Sequence, residues 1–127
     1  MKPTVQAGFV IVEVQTRLEV KYNQYLVGNL NPLNMKTAKW NGAILAQSEK
    51  TIEIEGNHYF PPESLQRQYL KESSHKSTRP WKGLASYYNI EVNGEINSNA
   101  GWFYKQPSEA AHQIKGHVAF WRGVEIT

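Results

Sequence analysis

The chain has no cysteine and no aspartate. The first absence excludes disulfide frameworks, thiolate zinc sites, iron–sulfur clusters and cysteine nucleophiles, and it fits a reducing compartment. The second means that a catalytic carboxylate must be a glutamate, with Glu55, Glu63 and Glu91 as the candidates. Long apolar runs are missing too. The longest, from Gly8 to Val12, falls far below the roughly 20 residues a membrane helix needs, and it is too short for a signal core. The expectation is a soluble, cytoplasmic protein with no membrane partner. Lys and Arg number 14 against 11 acidic residues, for a net charge of +3. They are scattered and nowhere form a run, so a nucleic-acid partner is not expected. No phosphate loop and no nucleophile elbow is present. The four histidines, His58, His75, His112 and His117, do not pair at ligand spacing. No metal and no cofactor is expected.

What is present is a chain of breakers and alternation. Asn41-Gly42 and Asn93-Gly94 sit between apolar stretches, where both residues tolerate positive φ, and each predicts a tight hairpin. Thr51-Ile52-Glu53-Ile54-Glu55 alternates with period two, Gly56-Asn57 reads as a turn or bulge, and His58-Tyr59-Phe60 reads as a short strand before Pro61-Pro62. Leu65, Tyr69 and Leu70 give helical spacing over Glu63 to Lys71, and Lys71 to Pro80 reads as a polar loop. From Ser86 to Val92, Tyr88, Ile90 and Val92 face one way while Tyr87, Asn89 and Glu91 face the other. Ser108 is a plausible cap for a second short helix that stops at Gly116. His117 to Trp121 and Val124 to Ile126 read as closing strands. At 127 residues this is one compact domain by size: mainly β, antiparallel and hairpin-connected, with two short helices. Residues 1–34 form an N-terminal extension. Its alternation from Val10 to Tyr22 favours a strand over a helical stripe, and Asn29 to Asn34 reads as a linker.

The densest chemistry lies at Pro80-Trp81-Lys82-Gly83 and Tyr87-Tyr88. A cation beside an indole and phenols can hold a phosphate or carboxylate, or it can be a lysine stem packed on tryptophan. Arg79 could grip an anion bidentately or be a solvated loop residue. Glu55 and His58, close in sequence, could form an acid–base pair; alternatively Glu55 ends a strand and Asn57 supports a bulge. Trp40, Trp81, Trp102 and Trp121, with Tyr59, Tyr87, Tyr88 and Tyr104, supply the large rings. Most must be core, and two or three could line a pocket mouth.

From Met35 onward the chain resembles the family called domain of unknown function 427. Four pieces carry the resemblance: Trp40-Asn41-Gly42 with Leu45-Ala46-Gln47-Ser48; Glu55-Gly56-Asn57-His58-Tyr59-Phe60-Pro61-Pro62; Pro80-Trp81-Lys82-Gly83 with Ala85-Ser86-Tyr87-Tyr88; and Trp102-Phe103-Tyr104 with Pro107 and Ile114-Lys115-Gly116-His117-Val118-Ala119-Phe120. The resemblance implies a compact antiparallel β-barrel or tent of the Mss4-like group. It implies no chemistry: one family label suggests nucleotidyl transfer, and no residue pattern here supports it. Many members have a cysteine where this chain has Arg79, so a thiol role is closed. Tent-like relatives often hold zinc through cysteines, and this chain cannot.

Three functions follow as expectations. The first is binding of a small anionic or planar molecule in an aromatic pocket formed by Glu55, Asn57, Tyr59, Arg79, Trp81, Lys82, Tyr87 and Trp102. The second is an enzyme with Glu55 or His58 as base and Lys82 as electrostatic stabiliser. The third is an interaction module in which the N-terminal segment adds a strand to a partner or to a second copy of the chain.

Overall fold

A computed structural model describes residues 11–12, 21–22 and 34–127. The chain separates into two units, Met1–Met35 and Lys36–Thr127. In the first, strand β1 (Ile11–Val12) pairs antiparallel with β2 (Lys21–Tyr22). The rest of the alternating stretch, and the expected linker up to Leu33, lie outside the described residues.

The second unit is mainly β and antiparallel. The turn at Asn41-Gly42 joins β3 (Lys36–Trp40) to β4 (Ala43–Ser48), as the Asn-Gly pair predicts. β5 (Ile52–Ile54) and β6 (Asn57–Tyr59) form a two-residue hairpin around Glu55-Gly56, one residue earlier than the sequence suggests. Next come β7 (Leu70–Arg79), β8 (Gly83–Val92) and β9 (Glu95–Phe103), the last two joined at Asn93-Gly94. The short strands β10 (Val118–Phe120) and β11 (Glu125–Ile126) follow. The main sheet has the order β10-β9-β8-β7, and a second sheet runs β11-β3-β4.

Three expectations need correction. No closed barrel forms among the described residues: the strands fall into separate open sheets. Beyond the paired strands, the described residues show only isolated bridges, Phe60 with Val118, Ala46 with Leu65 and Tyr104 with Lys115. The polar stretch from Lys71 is no loop but most of β7. It escapes the alternation test because it is an edge strand, paired only with β8, and its charged side chains protect that edge from further pairing. The two short helices become three 3-10 segments, Pro62–Ser64, Arg67–Tyr69 and Glu109–Ile114. Ser108 stands at the cap position of the last without capping it.

β8 explains why the main sheet is buried on both faces. Tyr88, Ile90 and Val92 pack with Ala38, Leu45 and Ala46 of the second sheet and with Phe60, Phe103 and Phe120. Ala85 and Tyr87 point the opposite way and pack with Tyr59, Tyr104, Ala111, Ile114 and Ala119. Tyr88 and Phe103 stack at 4.4 Å between centroids, worth about 0.5–1.5 kcal/mol beyond their burial. Gly101 keeps the sheet tight, since a Cβ there would stand 3.4 Å from both the Phe120 ring and Val118. Both neighbours of β8 bulge at its middle, between Glu72 and Lys76 on one side and between Asn97 and Gly101 on the other. The Asn89 side chain spans the second bulge, its carbonyl accepting the Asn99 amide at 2.9 Å.

Candidate functional site

The second of these two cores is not filled to its rim. Where the β5–β6 hairpin, the β7–β8 turn and the end of β9 meet, they leave a cavity of about 200 Å³. The strand pleat decides what enters it. On β6, Asn57 and Tyr59 face the cavity. His58, between them, points to the other face and bonds Thr51 Oγ1 through Nδ1 at 3.1 Å. Glu55, at the hairpin tip, stands at the mouth. From the β7–β8 side come Arg79, Lys82 and Tyr87; from beyond, Trp102, Tyr104 and Trp121.

The aromatic wall is cross-braced. Trp102 meets Tyr59 edge to face at 6.1 Å and Trp121 at 5.6 Å. Its indole N–H donates to the Tyr59 hydroxyl at 3.1 Å, while the Trp121 indole N–H donates to the Asn99 carbonyl at 2.7 Å. Tyr87 shares a hydroxyl–hydroxyl hydrogen bond of 2.7 Å with Ser77. Tyr104 is 1% exposed. Burial, and then the adjacent Tyr59 phenol, raise its pKa above the ordinary tyrosine value, so it stays a neutral phenol across the physiological range.

The charges are arranged unevenly. Lys82 is only 5% exposed, and its ammonium donates to Glu55 Oε1 and lies 5.1 Å from the centre of the Trp81 ring. Trp81 donates from its indole N–H to Glu55 Oε2 at 3.2 Å. These two hydrogen bonds, Lys82 first, hold the Glu55 carboxyl below its ordinary pKa. Arg79 is exposed and lines the cavity. Its guanidinium has no hydrogen bond or ion pair among the described residues. The Lys82 turn is held from behind: the Ser108 amide donates to the Lys82 carbonyl at 3.0 Å, and its hydroxyl donates to the Trp81 carbonyl. Gly83, at φ +110°, passes so close that a Cβ would stand 3.4 Å from the Ser108 nitrogen.

The cavity thus gathers Glu55, Asn57, Tyr59, Arg79, Lys82, Tyr87 and Trp102, and leaves out two residues singled out from the sequence. Trp81 stays 42% exposed and supports Glu55 and Lys82 from outside. His58 faces away, so the expected Glu55–His58 pair is not built: Glu55 pairs with Lys82 and Trp81, and His58 with Thr51. The alternation of β6 carried that signal, since Asn57 and Tyr59 cannot share a face with the residue between them. Tyr104 and Trp121 line the cavity without having been assigned to it, because only the pairing of β9 with β10 brings the two stretches together. Among the described residues, no group of three potential ligands is placed to hold a metal ion, and no helix is long and apolar enough to cross a membrane.

No curated protein matches the chain. The model of a family described as a domain of unknown function (DUF427) matches residues 34–126, which include β3 to β11 and every residue that lines the cavity. The chain therefore belongs to the DUF427 family.

Proposed function

We propose that this protein binds a small anionic molecule, with its planar part against Trp102, Trp121 and the tyrosines, in the cavity at the mouth of the second core. One observation carries the reading: a buried ammonium and an unpaired guanidinium, Lys82 and Arg79, border the same aromatic-walled space. Apolar walls with a few fixed polar groups are the usual composition of ligand sites. The cavity is at the small end, because about 150 Å³ suffices for a benzene-sized ring, so the ligand carries one ring and a short substituent. The second reading, an acid–base enzyme, draws no support from the geometry, since His58 turns away and the Glu55 carboxylate is already engaged. A cytoplasmic setting and a tent-like kinship with the Mss4-like group go with this proposal as implications of the composition and of the family.

The test is a titration with benzoate, followed by tryptophan fluorescence and by the Trp102 indole N–H resonance. Lys82→Met keeps an unbranched side chain at the buried position and releases the half-exposed Glu55 to water, so the fold should hold. Removing a charged hydrogen bond should weaken binding by about 1.5–3 kcal/mol, roughly tenfold or more. Binding that is unchanged in both Lys82→Met and Arg79→Met would end the proposal.

A further inference from the structure

The charges around the cavity can be counted. Lys82 and Arg79 each bring one positive charge, and Glu55 brings one negative charge through its pair with Lys82. The rest of the lining brings no further carboxylate, ammonium, guanidinium or imidazole, only the Asn57 amide, phenols and indoles. Outside the lining, the His75 ring lies 4.6 Å from Tyr87, and the Arg122 guanidinium lies over the Trp121 ring, 4.7 Å from its centre. Lys105, which follows Tyr104, is neutralised by Glu72 at 2.7 Å. Among the lining residues the net charge is therefore a single positive one, located at Arg79, with Arg122 as a further cation one ring away behind Trp121.

Resting on the anion-binding reading above, we infer that Glu55 sets the charge of the ligand: the site selects planar monoanions, a carboxylate on a single ring, over dianions such as phosphate monoesters and over neutral rings. Two structural facts support this role. Lys82 is buried and its ammonium donates to Glu55, and this bond holds the Glu55 carboxylate at the cavity when no ligand is bound. The Glu55 backbone also sits at φ +54°, a region where glutamate is disfavoured, so the side chain is kept at a position that suits asparagine better. A dianion entering the cavity would satisfy Arg79 and then face the Glu55 carboxylate. The Glu55 carboxylate is half exposed, so water screens the repulsion, and it disfavours the dianion without barring it.

The experiment uses three proteins and three probes of similar ring size: benzamide, benzoate and phenyl phosphate. It is run at about pH 8, where phosphate monoesters are dianions. The unmodified protein should bind benzoate more tightly than the other two. Glu55→Gln, which raises the net charge by one, should shift the ratio of phenyl phosphate to benzoate affinity by about tenfold toward the dianion. Arg79→Gln, which lowers it by one at an exposed position with no partner to lose, should move preference toward benzamide. Circular dichroism of each variant checks the fold. If Glu55→Gln does not fold, the order of benzoate and phenyl phosphate affinities in the unmodified protein still decides the rule. Tighter binding of phenyl phosphate by the unmodified protein, or ratios that neither variant moves, overturns the charge rule while leaving anion binding standing. If none of the probes shifts the Trp102 resonance in any protein, both the rule and the reading beneath it fall.

Discussion

The turns at Asn41-Gly42 and Glu55-Gly56 share a backbone and differ in surroundings. Both have positive φ at both corners, +50° and +80° in the first, +54° and +81° in the second. Asn93-Gly94 and Arg122-Gly123 repeat the pattern. Asparagine suits the first corner because its short side chain tolerates the left-handed region, and Asn41 also donates from its amide to the Val92 carbonyl at 3.2 Å. Neither asparagine lines the cavity. Glutamate and arginine gain nothing from that backbone, yet Glu55 stands at the cavity mouth and Arg122 covers the lining Trp121 at 4.7 Å. Where a turn only reverses the chain, the residue is the one the backbone prefers. Where the turn stands at the cavity or behind one of its wall residues, the side chain overrides that preference.

The strongest way to sharpen this contrast is at the glycines. Gly83→Ala should cost about 2–3 kcal/mol, because φ strain adds to a close backbone neighbour. Gly42→Ala and Gly56→Ala, where an added Cβ meets nothing within 4 Å, should each cost about 1 kcal/mol in urea unfolding. Equal losses at all three would mean that Ser108 does not clamp the site turn. Next comes Asn41→Ala, with a loss of about 1 kcal/mol from the side-chain hydrogen bond and the turn preference together. Glu55→Asn should then lower the melting temperature even though asparagine is the better turn residue, because it strands the buried Lys82 ammonium. Adding Lys82→Met should recover part of the loss. A Glu55→Asn protein more stable than the parent would break the comparison outright.

The smallest effects are in pH dependence. The Glu55 pKa is lowered on folding, so its contribution is present above the unfolded carboxylate value and is lost as pH falls through the folded one. Acid unfolding of Glu55→Gln should therefore be less steep below about pH 4.5. The Tyr104 pKa is raised, so the opposite sign holds: its contribution is intact below the unfolded tyrosine value and declines as pH rises beyond about 10. Tyr104→Phe should flatten the alkaline limb of a pH–stability curve.

The hairpins at Asn41-Gly42 and Asn93-Gly94 were legible because turn chemistry is local. So was the division of faces on β8, where Tyr88, Ile90 and Val92 alternate with Tyr87. β7 was not legible. Its one partner is β8, and most of its side chains meet water, so no apolar rhythm marks it. Most of the cavity residues could be named from the turn and strand-end motifs that contain them. The role of Trp121 could not, because its place depends on β10 pairing with β9, a contact that no local pattern encodes. Nor could the state of Lys82: in sequence it stands in a turn, where lysine is normally exposed, and only the folded chain brings Glu55 and Ser108 to it.

The Ser108 bonds to Trp81 and Lys82 have a consequence for motion. Ser108 lies between the exposed Lys105 and Gln106 and the exposed Glu109 and Ala110, where amide protons should exchange with solvent quickly. Its own amide is held by the Lys82 carbonyl and should exchange slowly, an isolated protected proton in a fast segment. The rate at which that proton is lost then reports how often the Lys82 turn lifts away from the domain. One amide in hydrogen–deuterium exchange would thus time the breathing of the cavity wall directly, before any ligand is known.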